Sequence, residues 1–270
     1  MSRSRLVGLI PAAGSATRLA PLPCSKELWP VGFQRGPEGE PRPKPVSQYL
    51  LEKMERAGAR EVFIILRSGK WDIADYYGDG SRLGLRLAYL VMGDPYGPPF
   101  TLAQAAPFVT DATALFGFAD ILFQPEHGFA HALQRLETTG ADLVLALCPI
   151  PRTVATDVVE TDATGRIVGL EPKENRPPRT DHDATYLLAV WRPAFTEFLS
   201  AEVRRLAAIA RARAGDGTPE WPMGAVIAAA LRAGLHVDSV RFEEGRFLDI
   251  GTPHGLIAAA EFPGVWRGTD

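Results

Sequence analysis

The sequence predicts an α/β fold in which helices cover a doubly wound, Rossmann-like and mostly parallel sheet, with antiparallel strands added in the C-terminal half. Continuous apolar runs at residues 6–10, 62–66 and 143–147 are typical of strands that are buried on both faces. Apolar residues recur at helical spacing between the first two runs, whereas short strand-like segments follow residue 154. Alternating strands and helices favour a parallel sheet, and successive short strands favour antiparallel pairing.

The remaining elements follow in chain order. In the first half, a helix over residues 46–57 ends before Gly58, a strand covers residues 114–119, and a helix covers residues 125–138. In the second half, we expect strands over residues 158–161, 166–170 and 185–190, followed by helices over residues 195–210 and 223–233. A further strand over residues 236–242 and a helix after Pro253 complete the chain.

Three other segments carry specific expectations. Residues 33–44 and 171–183 are rich in proline and charge, which is typical of surface loops. Trp71, between Lys70 and Asp72, could stack on a ligand ring, but a tryptophan at a helix start is more often part of the core.

The composition excludes several classes of protein. The 270 residues, of which 46% are hydrophobic, can bury a full core as one large or two small domains. A net charge of −3 lacks the basic surface that sequence-independent nucleic-acid binding needs, so no nucleic-acid partner is expected. Two cysteines are too few for a disulfide framework, and the first apolar run is too short for a signal peptide or a membrane span. We therefore expect a cytoplasmic protein without a membrane partner.

The first predicted strand leads directly into a loop of small residues, PAAGSATRL, at residues 11–19. Small side chains let backbone N–H groups approach a phosphate, and the arginine in this loop can bind one with two hydrogen bonds. An ordinary strand-to-helix turn is the alternative. The loop matches neither the dinucleotide G-x-G-x-x-G pattern nor the Walker P-loop.

The chain resembles the sugar-1-phosphate nucleotidyltransferases, the family of glucose-1-phosphate thymidylyltransferase, through seven motifs that keep the family's order. The opening loop is similar to the family's L-A-G-G-x-G-T-R-L-x-P followed by a lysine, here Lys26. The other six are Lys44-Pro45, GDGSRLG at residues 78–84, LAQA at 102–105, Asp120 after a strand, LEPK at 170–173 and FLDIGTP at 247–253. Their order and spacing are far more specific than any single motif.

The resemblance implies a Mg²⁺-dependent reaction between a nucleoside triphosphate and a sugar-1-phosphate, which yields a nucleotide-sugar and pyrophosphate. It makes Asp120 and Asp249 the metal ligands, and both lie at predicted strand ends, where open α/β sheets bind ligands. Arg18 and Lys26 become the catalytic residues that neutralise the β and γ phosphates. The substrate-binding residues that it implies are Ala13, Gly14, Ser15, Ala16, Thr17, Met92, Thr101, Asp157, Glu171 and Lys173.

Several of these positions depart from the family pattern. Ala16 replaces a glycine of the opening loop, and Met92 replaces the glutamine that thymidylyl enzymes carry near the base. Thr101 and Asp157 each stand where the family has glycine, and the order Glu-Pro-Lys at residues 171–173 replaces Glu-Lys-Pro. We expect relaxed choice of base and a sugar other than plain glucose-1-phosphate.

The sequence therefore predicts a single domain over residues 1–270. Residues 1–150 would form its nucleotide-binding half and residues 151–270 its sugar-phosphate-binding half, and a homo-oligomer would be compatible with this arrangement. A nucleotide-binding or regulatory homologue with little turnover is the first alternative, because the opening loop and substrate positions are altered. A dinucleotide-dependent oxidoreductase is disfavoured, because the G-x-G-x-x-G turn is absent.

Overall fold

The computed structural model describes residues 5–93, 96–150, 156–171, 183–212, 220–262 and 265. The strands within these ranges are β1 (Leu6–Pro11), β2 (Pro30–Arg35), β3 (Pro41–Pro45), β4 (Glu61–Arg67), β5 (Arg86–Met92), β6 (Thr113–Gly117), β7 (Ile121–Gln124), β8 (Leu143–Pro149), β9 (Val158–Thr161), β10 (Ile167–Glu171), β11 (Ala184–Trp191), β12 (Val237–Arg241) and β13 (Arg246–Asp249). The α-helices are α1 (Val46–Arg56), α2 (Trp71–Tyr77), α3 (Pro98–Ala103), α4 (Gly128–Thr139), α5 (Pro193–Ala212), α6 (Met223–Arg232) and α7 (Pro253–Ala258).

The central sheet combines parallel and antiparallel strands. Nine of the strands described above join it in the order β10-β9-β11-β6-β1-β4-β5, with β8 paired to β11 and β12 paired to β8. The pairs β1–β4, β1–β6, β4–β5 and β8–β12 are parallel, whereas β11 runs antiparallel to β6, β8 and β9. The predicted fold class is therefore confirmed.

The two faces of the sheet are covered by different helices. Side chains alternate along β1, so that Leu9 faces the helices α3, α5 and α6, and Ile10 faces α1, α2 and α4. Burial is nearly complete on both faces, as Leu9 and Ile10 are each 1% exposed. This two-sided burial explains why β1, β4 and β8 read as continuous apolar runs rather than as alternating patterns.

The stretch of residues 33–44 is a β-hairpin rather than the expected loop. β2 and β3 pair antiparallel, with Phe33 opposite Pro43 and Arg35 opposite Pro41. Each strand of a two-stranded ribbon has an open edge, where a proline that lacks an N–H group breaks no ladder bond. The proline content therefore concealed the hairpin. β5 and β7 were also absent from the prediction, and residues 172–182 of the second expected loop lie outside the described ranges.

The chain reverses its direction of growth across the sheet at β1. It builds β4 and β5 on one side of β1 and then returns to place β6 on the other side. Ligands bind to open α/β sheets at such a reversal, outside the carboxyl ends of the strands. The loop after β1 and the segment after β6 therefore meet at the expected ligand-binding edge.

Among the helices that the structure describes, none is long and apolar enough to span a membrane.

Candidate active site

Two carboxylates and one arginine converge at the carboxyl edge of β1 and β6. A β-carbon placed on Gly251 would lie 2.8 Å from Asp249 Oδ1, 3.1 Å from Asp120 Oδ2 and 3.1 Å from Arg18 Nη2. Since both carboxylate oxygens are near the same point, they lie no more than about 6 Å apart. The backbone at Gly251 leaves this space open, and a larger residue there would fill it.

A small antiparallel pair of strands brings Asp249 to Asp120. β13 pairs with β7 so that Asp249 lies opposite Ile121, and the Ile250 N–H group donates a hydrogen bond to Asp120 O at 3.0 Å. The Gly251 N–H group also donates to Asp249 Oδ1 at 2.7 Å. The backbone thus holds both carboxylates in place independently of any ligand.

Cations from the loop after β1 face these carboxylates. Lys26 Nζ donates a hydrogen bond to Asp120 Oδ2 at 2.5 Å, and Arg18 Nη1 lies 3.7 Å from Asp249 Oδ2. Lys26 and Asp120 are mostly buried, with side chains 16% and 14% exposed, whereas Arg18 is 57% exposed. The Lys26–Asp120 pair is therefore the less screened of the two.

The two carboxylates differ in their protonation behaviour. Burial by itself raises the pKa of Asp120, but the charge and hydrogen bond of Lys26 outweigh it and the pKa is lowered. Burial and the neighbouring Asp120 charge raise the pKa of Asp249 despite the Gly251 N–H group and Arg18. Burial also acts to lower the pKa of Lys26, but Asp120 and Glu27 raise it overall. Lys26 is thus held in its charged form.

Residues on both sides of Lys26 are anchored to the start of α2. Asp72 accepts hydrogen bonds from the Ser25 N–H group and the Ser25 hydroxyl, both at 2.7 Å. Lys70 Nζ donates to both carboxylate oxygens of Glu27 at 2.7 Å. Lys26 lies between these two anchors and points to Asp120.

This arrangement corrects the expectation for the segment of residues 70–72. Trp71 is 51% exposed and is not part of the core, whereas Lys70 is 5% exposed. The buried partner of Lys70 is Glu27, which is 2% exposed. Lys70 and Glu27 can both be buried because their opposite charges are hydrogen-bonded to each other.

The loop after β1 has the small-residue character that phosphate approach requires. A β-carbon on Gly14 would have no atom within 4 Å. Ala16 has a φ of 54°, in the left-handed region that favours glycine. The glycine of the family pattern at this position therefore has a conformational reason, and the chain keeps that conformation with alanine.

The central cavity, of about 330 Å³, is lined by all four predicted catalytic and metal-binding residues. The predicted residues that line it are Ala13, Gly14, Ser15, Arg18, Lys26, Thr101, Asp120 and Asp249. Other predicted residues lie elsewhere. Thr17 is exposed and is absent from the lining, and Met92 is 7% exposed in the hydrophobic core.

A second cavity of about 280 Å³, here called the Asp157 cavity, adjoins the central one. Both are lined by Phe118, Ile121 and Glu220. Asp157 is 8% exposed, and its Oδ2 atom accepts a hydrogen bond from the Tyr186 hydroxyl at 3.0 Å. The sequence singled out Asp157 but not Tyr186 or Glu220, because neither belongs to a family motif.

The remaining two predicted residues are Glu171 and Lys173. Glu171 is the last residue of β10, and its buried Oε2 atom has no hydrogen-bond partner within the described ranges. Lys173 lies outside the described residues.

The donor set at Asp120 and Asp249 fits Mg²⁺. Within the described ranges, no group of three or more His, Cys, Asp or Glu side chains is placed to hold a metal ion. Mg²⁺ is usually bound through one or two carboxylates and completes its octahedral shell with water and phosphate oxygens. Two neighbouring carboxylates at the edge of an open cavity meet that requirement.

Two relatives are similar to this chain over most of its length. The low-salt glycan biosynthesis nucleotidyltransferase Agl11 of Haloferax volcanii is 25% identical over 259 residues, which cover 93% of this chain and 64% of the relative. A glucose-1-phosphate thymidylyltransferase of an Actinoplanes species is 29% identical over 265 residues, which cover 90% of this chain and 81% of that protein. The chain thus spans less than two thirds of the Haloferax protein.

The fold and the family agree with these similarities. A solved structure of a UTP-bound UGPase from Acinetobacter baumannii has a TM-score of 0.70 and 15% identity, and the match covers 97% of this chain and 95% of that one. At this identity, the likeness concerns the fold alone. The family described as Nucleotidyl transferase matches residues 7–263. Because that match spans nearly the whole chain, the protein belongs to the nucleotidyl transferase family, as its ordered motifs predicted.

Proposed function

We propose that the protein transfers a nucleoside monophosphate from a nucleoside triphosphate to a sugar-1-phosphate. An oxygen of the sugar-1-phosphate attacks the α-phosphorus, and the bond from that phosphorus to the bridging oxygen of the β-phosphate breaks. Pyrophosphate leaves with the electron pair of the broken bond. The names of the two relatives describe nucleotidyl transfer, one of them to glucose-1-phosphate, and a protein of similar fold binds UTP.

The observation that carries this proposal is the convergence of Arg18, Asp120 and Asp249 on one point beside Gly251. Carboxylates and a cation at one edge of a cavity suit a reaction between two anions, because the catalyst must reduce their repulsion and align them. This chain has no need of a covalent intermediate for that purpose.

Asp120 and Asp249 would hold Mg²⁺. The chemistry that the bound ion supplies is neutralisation of charge that develops on the α-phosphate. Lys26 now bonds Asp120, so its ammonium group can turn from that carboxylate to a phosphate oxygen when a metal takes its place. Arg18, which is more exposed, reaches the β or γ phosphate from the open side of the loop.

The Asp157 cavity is the place for the sugar. It adjoins the central cavity and is lined by Thr156, Asp157, Thr185 and Tyr186, which supply several groups for hydrogen bonds to hydroxyls. The family motif assigns Glu171 to the substrate, and its buried oxygen, which has no hydrogen-bond partner among the described residues, is proposed to accept a hydrogen bond from a sugar hydroxyl. Lys173 is proposed to bind the sugar phosphate, as the family motif implies.

We propose that the protein discriminates only weakly among nucleobases. Met92 cannot hydrogen-bond a pyrimidine edge as the family's glutamine does, and its side chain is buried in the core. Thr101 lines the central cavity, but its hydroxyl donates a hydrogen bond to Gly97 O at 3.3 Å. An apolar pocket discriminates between ligands only about 10 to 200-fold, far less than a hydrogen-bonding pocket. We therefore propose use of several nucleoside triphosphates.

The test is a matrix of the common nucleoside triphosphates against several sugar-1-phosphates, with pyrophosphate release measured with and without Mg²⁺. We expect turnover with at least one pair, only in the presence of a divalent cation, and less than a thousandfold preference for any base. The exposed-turn variant Asp162→Asn serves as a control that should keep full activity.

Three outcomes would each contradict a part of the proposal. If a triphosphate binds in calorimetry but no sugar-1-phosphate supports pyrophosphate release, the protein is a binding or regulatory homologue instead. Full turnover in excess chelator would contradict the role of Mg²⁺. A preference above a thousandfold for one base would mean that groups other than the side chain at position 92 read it.

A further inference from the structure

A third cavity of about 430 Å³, here called the outer loop cavity, lies along the loop after β1. Ser15 and Lys26 line both this cavity and the central one. The two cavities therefore adjoin at the loop. Family motifs supply only part of the lining, because Arg67, Lys70 and Asp72 also face this cavity.

Arg67 reaches the outer loop cavity from the sheet. It is the last residue of β4, which pairs in parallel with β1. The Ala12 N–H group, at the start of the loop, donates a hydrogen bond to Ile65 O at 2.8 Å. The carboxyl ends of these two strands are thus held together, and Arg67 follows on the edge of the sheet where ligands bind.

Within the described part of the chain, Arg67 differs from its charged neighbours, because its Nε atom is unpaired. Lys26 is bonded to Asp120, and Lys70 is bonded to Glu27. Arg67 Nε is shielded from solvent, and no hydrogen-bond partner for it lies among the residues that the structure describes. A buried donor without a partner is unfavourable, and more so when it carries charge. The outer loop cavity therefore contains a cation that is ready to bind an anion.

We infer that Arg67 binds the terminal phosphates of the nucleoside triphosphate, which become the leaving pyrophosphate. This inference rests on the proposed function, since it places the α-phosphate at Asp120 and Asp249 and extends the chain of phosphates past Lys26. A guanidinium group suits this task because it can donate two parallel hydrogen bonds to phosphate oxygens. Asp72 also lines the cavity, but both of its carboxylate oxygens accept hydrogen bonds from Ser25.

Arg67 would act on the leaving group alone. As the bond to the α-phosphorus breaks, its electron pair becomes negative charge on pyrophosphate, and the guanidinium stabilises that charge. The sugar-1-phosphate would bind on the opposite side of the central cavity, where Asp157 lies. Arg67 should therefore influence triphosphate and pyrophosphate binding and leave sugar-1-phosphate binding unchanged.

The test compares Arg67→Gln and Arg67→Lys with Arg241→Gln, which changes an arginine that also ends a strand but lines none of the three cavities. The probe is inorganic pyrophosphate, titrated by calorimetry with Mg²⁺ present, together with KM for each substrate. We expect Arg67→Gln to weaken pyrophosphate binding roughly 10 to 100-fold, as loss of a charged hydrogen bond does. KM for the triphosphate should rise similarly, and KM for the sugar-1-phosphate should stay within twofold.

The variants also separate this inference from the proposed function. If the unmodified protein turns over and Arg67→Gln binds pyrophosphate with an unchanged dissociation constant, the inference is wrong while the function stands. If no substrate pair yields pyrophosphate, the proposed function is wrong, whereas Arg67-dependent pyrophosphate binding would still support an anion site. Should Arg67→Gln fail to fold, Arg67→Lys decides, because loss of the bidentate geometry should still weaken pyrophosphate binding.

Discussion

Lys70 joins the end of β1 to the residue that follows Lys26, through a buried ion pair with Glu27. Its Nζ atom donates at 2.7 Å to both Glu27 oxygens and at 2.8 Å to Ala12 O. Burial lowers the pKa of Lys70 and raises that of Glu27, while each partner's charge opposes the change. Burying the two charges costs desolvation free energy, so the pair is a weak source of stability. We therefore expect its main role to be positioning of the loop.

Replacing both members of this pair should separate stability from activity. Lys70→Met leaves Glu27 buried without its partner, which should lower the free energy of unfolding by about 3–5 kcal/mol. The double variant Lys70→Met/Glu27→Leu should recover most of that loss in urea unfolding, because both charges are gone. Its kcat should stay at least tenfold reduced, since Lys26 has lost an anchor. Full recovery of kcat in the stable double variant would show that the pair has no positioning role.

Removing either carboxylate at the proposed metal site should strongly reduce turnover. Asp120→Asn and Asp249→Asn each take one ligand from an ion that stabilises several kcal/mol of charge, so kcat should fall about ten to a thousandfold. The Mg²⁺ concentration for half-maximal rate should rise in both. Calorimetric titration of Mg²⁺ with a bound triphosphate would measure the same loss directly, and unchanged Mg²⁺ affinity in both variants would contradict the shared site.

Two substitutions in the loop after β1 should affect thermal stability differently. Ala16→Gly relieves a left-handed alanine, a conformation that costs roughly 1–2 kcal/mol, and part of the gain is offset by the entropy of glycine. Thermal unfolding should therefore show a stabilisation of up to about 1 kcal/mol. Gly14→Ala meets no atom within 4 Å and should leave the melting temperature unchanged.

Gly14→Ala should instead weaken the binding of the triphosphate. Gly14 lines the central cavity, and a methyl group there occupies space that a phosphate needs for close approach to the backbone. KM for the triphosphate should increase about tenfold, with KM for the sugar-1-phosphate unaltered. Steady-state kinetics of both variants would measure these KM values. A KM for the triphosphate that is the same in Gly14→Ala as in the unmodified protein would exclude close approach of a phosphate at Gly14.

The carboxylate of Asp157 should discriminate against sugars that carry a second negative charge. Two like charges about 4 Å apart repel by a few kcal/mol at an effective dielectric constant near 20. Asp157→Asn keeps the shape of the side chain and an oxygen for the Tyr186 hydroxyl but removes the charge. The ratio of kcat/KM for glucuronic acid 1-phosphate to that for glucose-1-phosphate should rise at least tenfold. An unchanged ratio would place the sugar outside the Asp157 cavity.

The sequence by itself determined the fold class, most of the strands and helices, and the identity of the charged residues at the site. Continuous apolar runs predicted β1, β4 and β8, because a strand that is buried on both faces needs apolar residues at successive positions. The spacing of Val46, Leu50 and Met54 likewise reported α1, since one helix face is buried. The motif residues Asp120 and Asp249 were found through a resemblance, without knowledge of their distance.

Only the tertiary structure decided how these residues meet. Asp249 reaches Asp120 through the pairing of β13 with β7, and Lys70 reaches Glu27 across the start of α2. Proline in β2 and β3 hid a hairpin, and the exposed Trp71 stands beside a buried lysine. Contacts between residues far apart in the chain leave no periodic pattern in the sequence, because periodicity records which face of an element is buried but not which partner buries it.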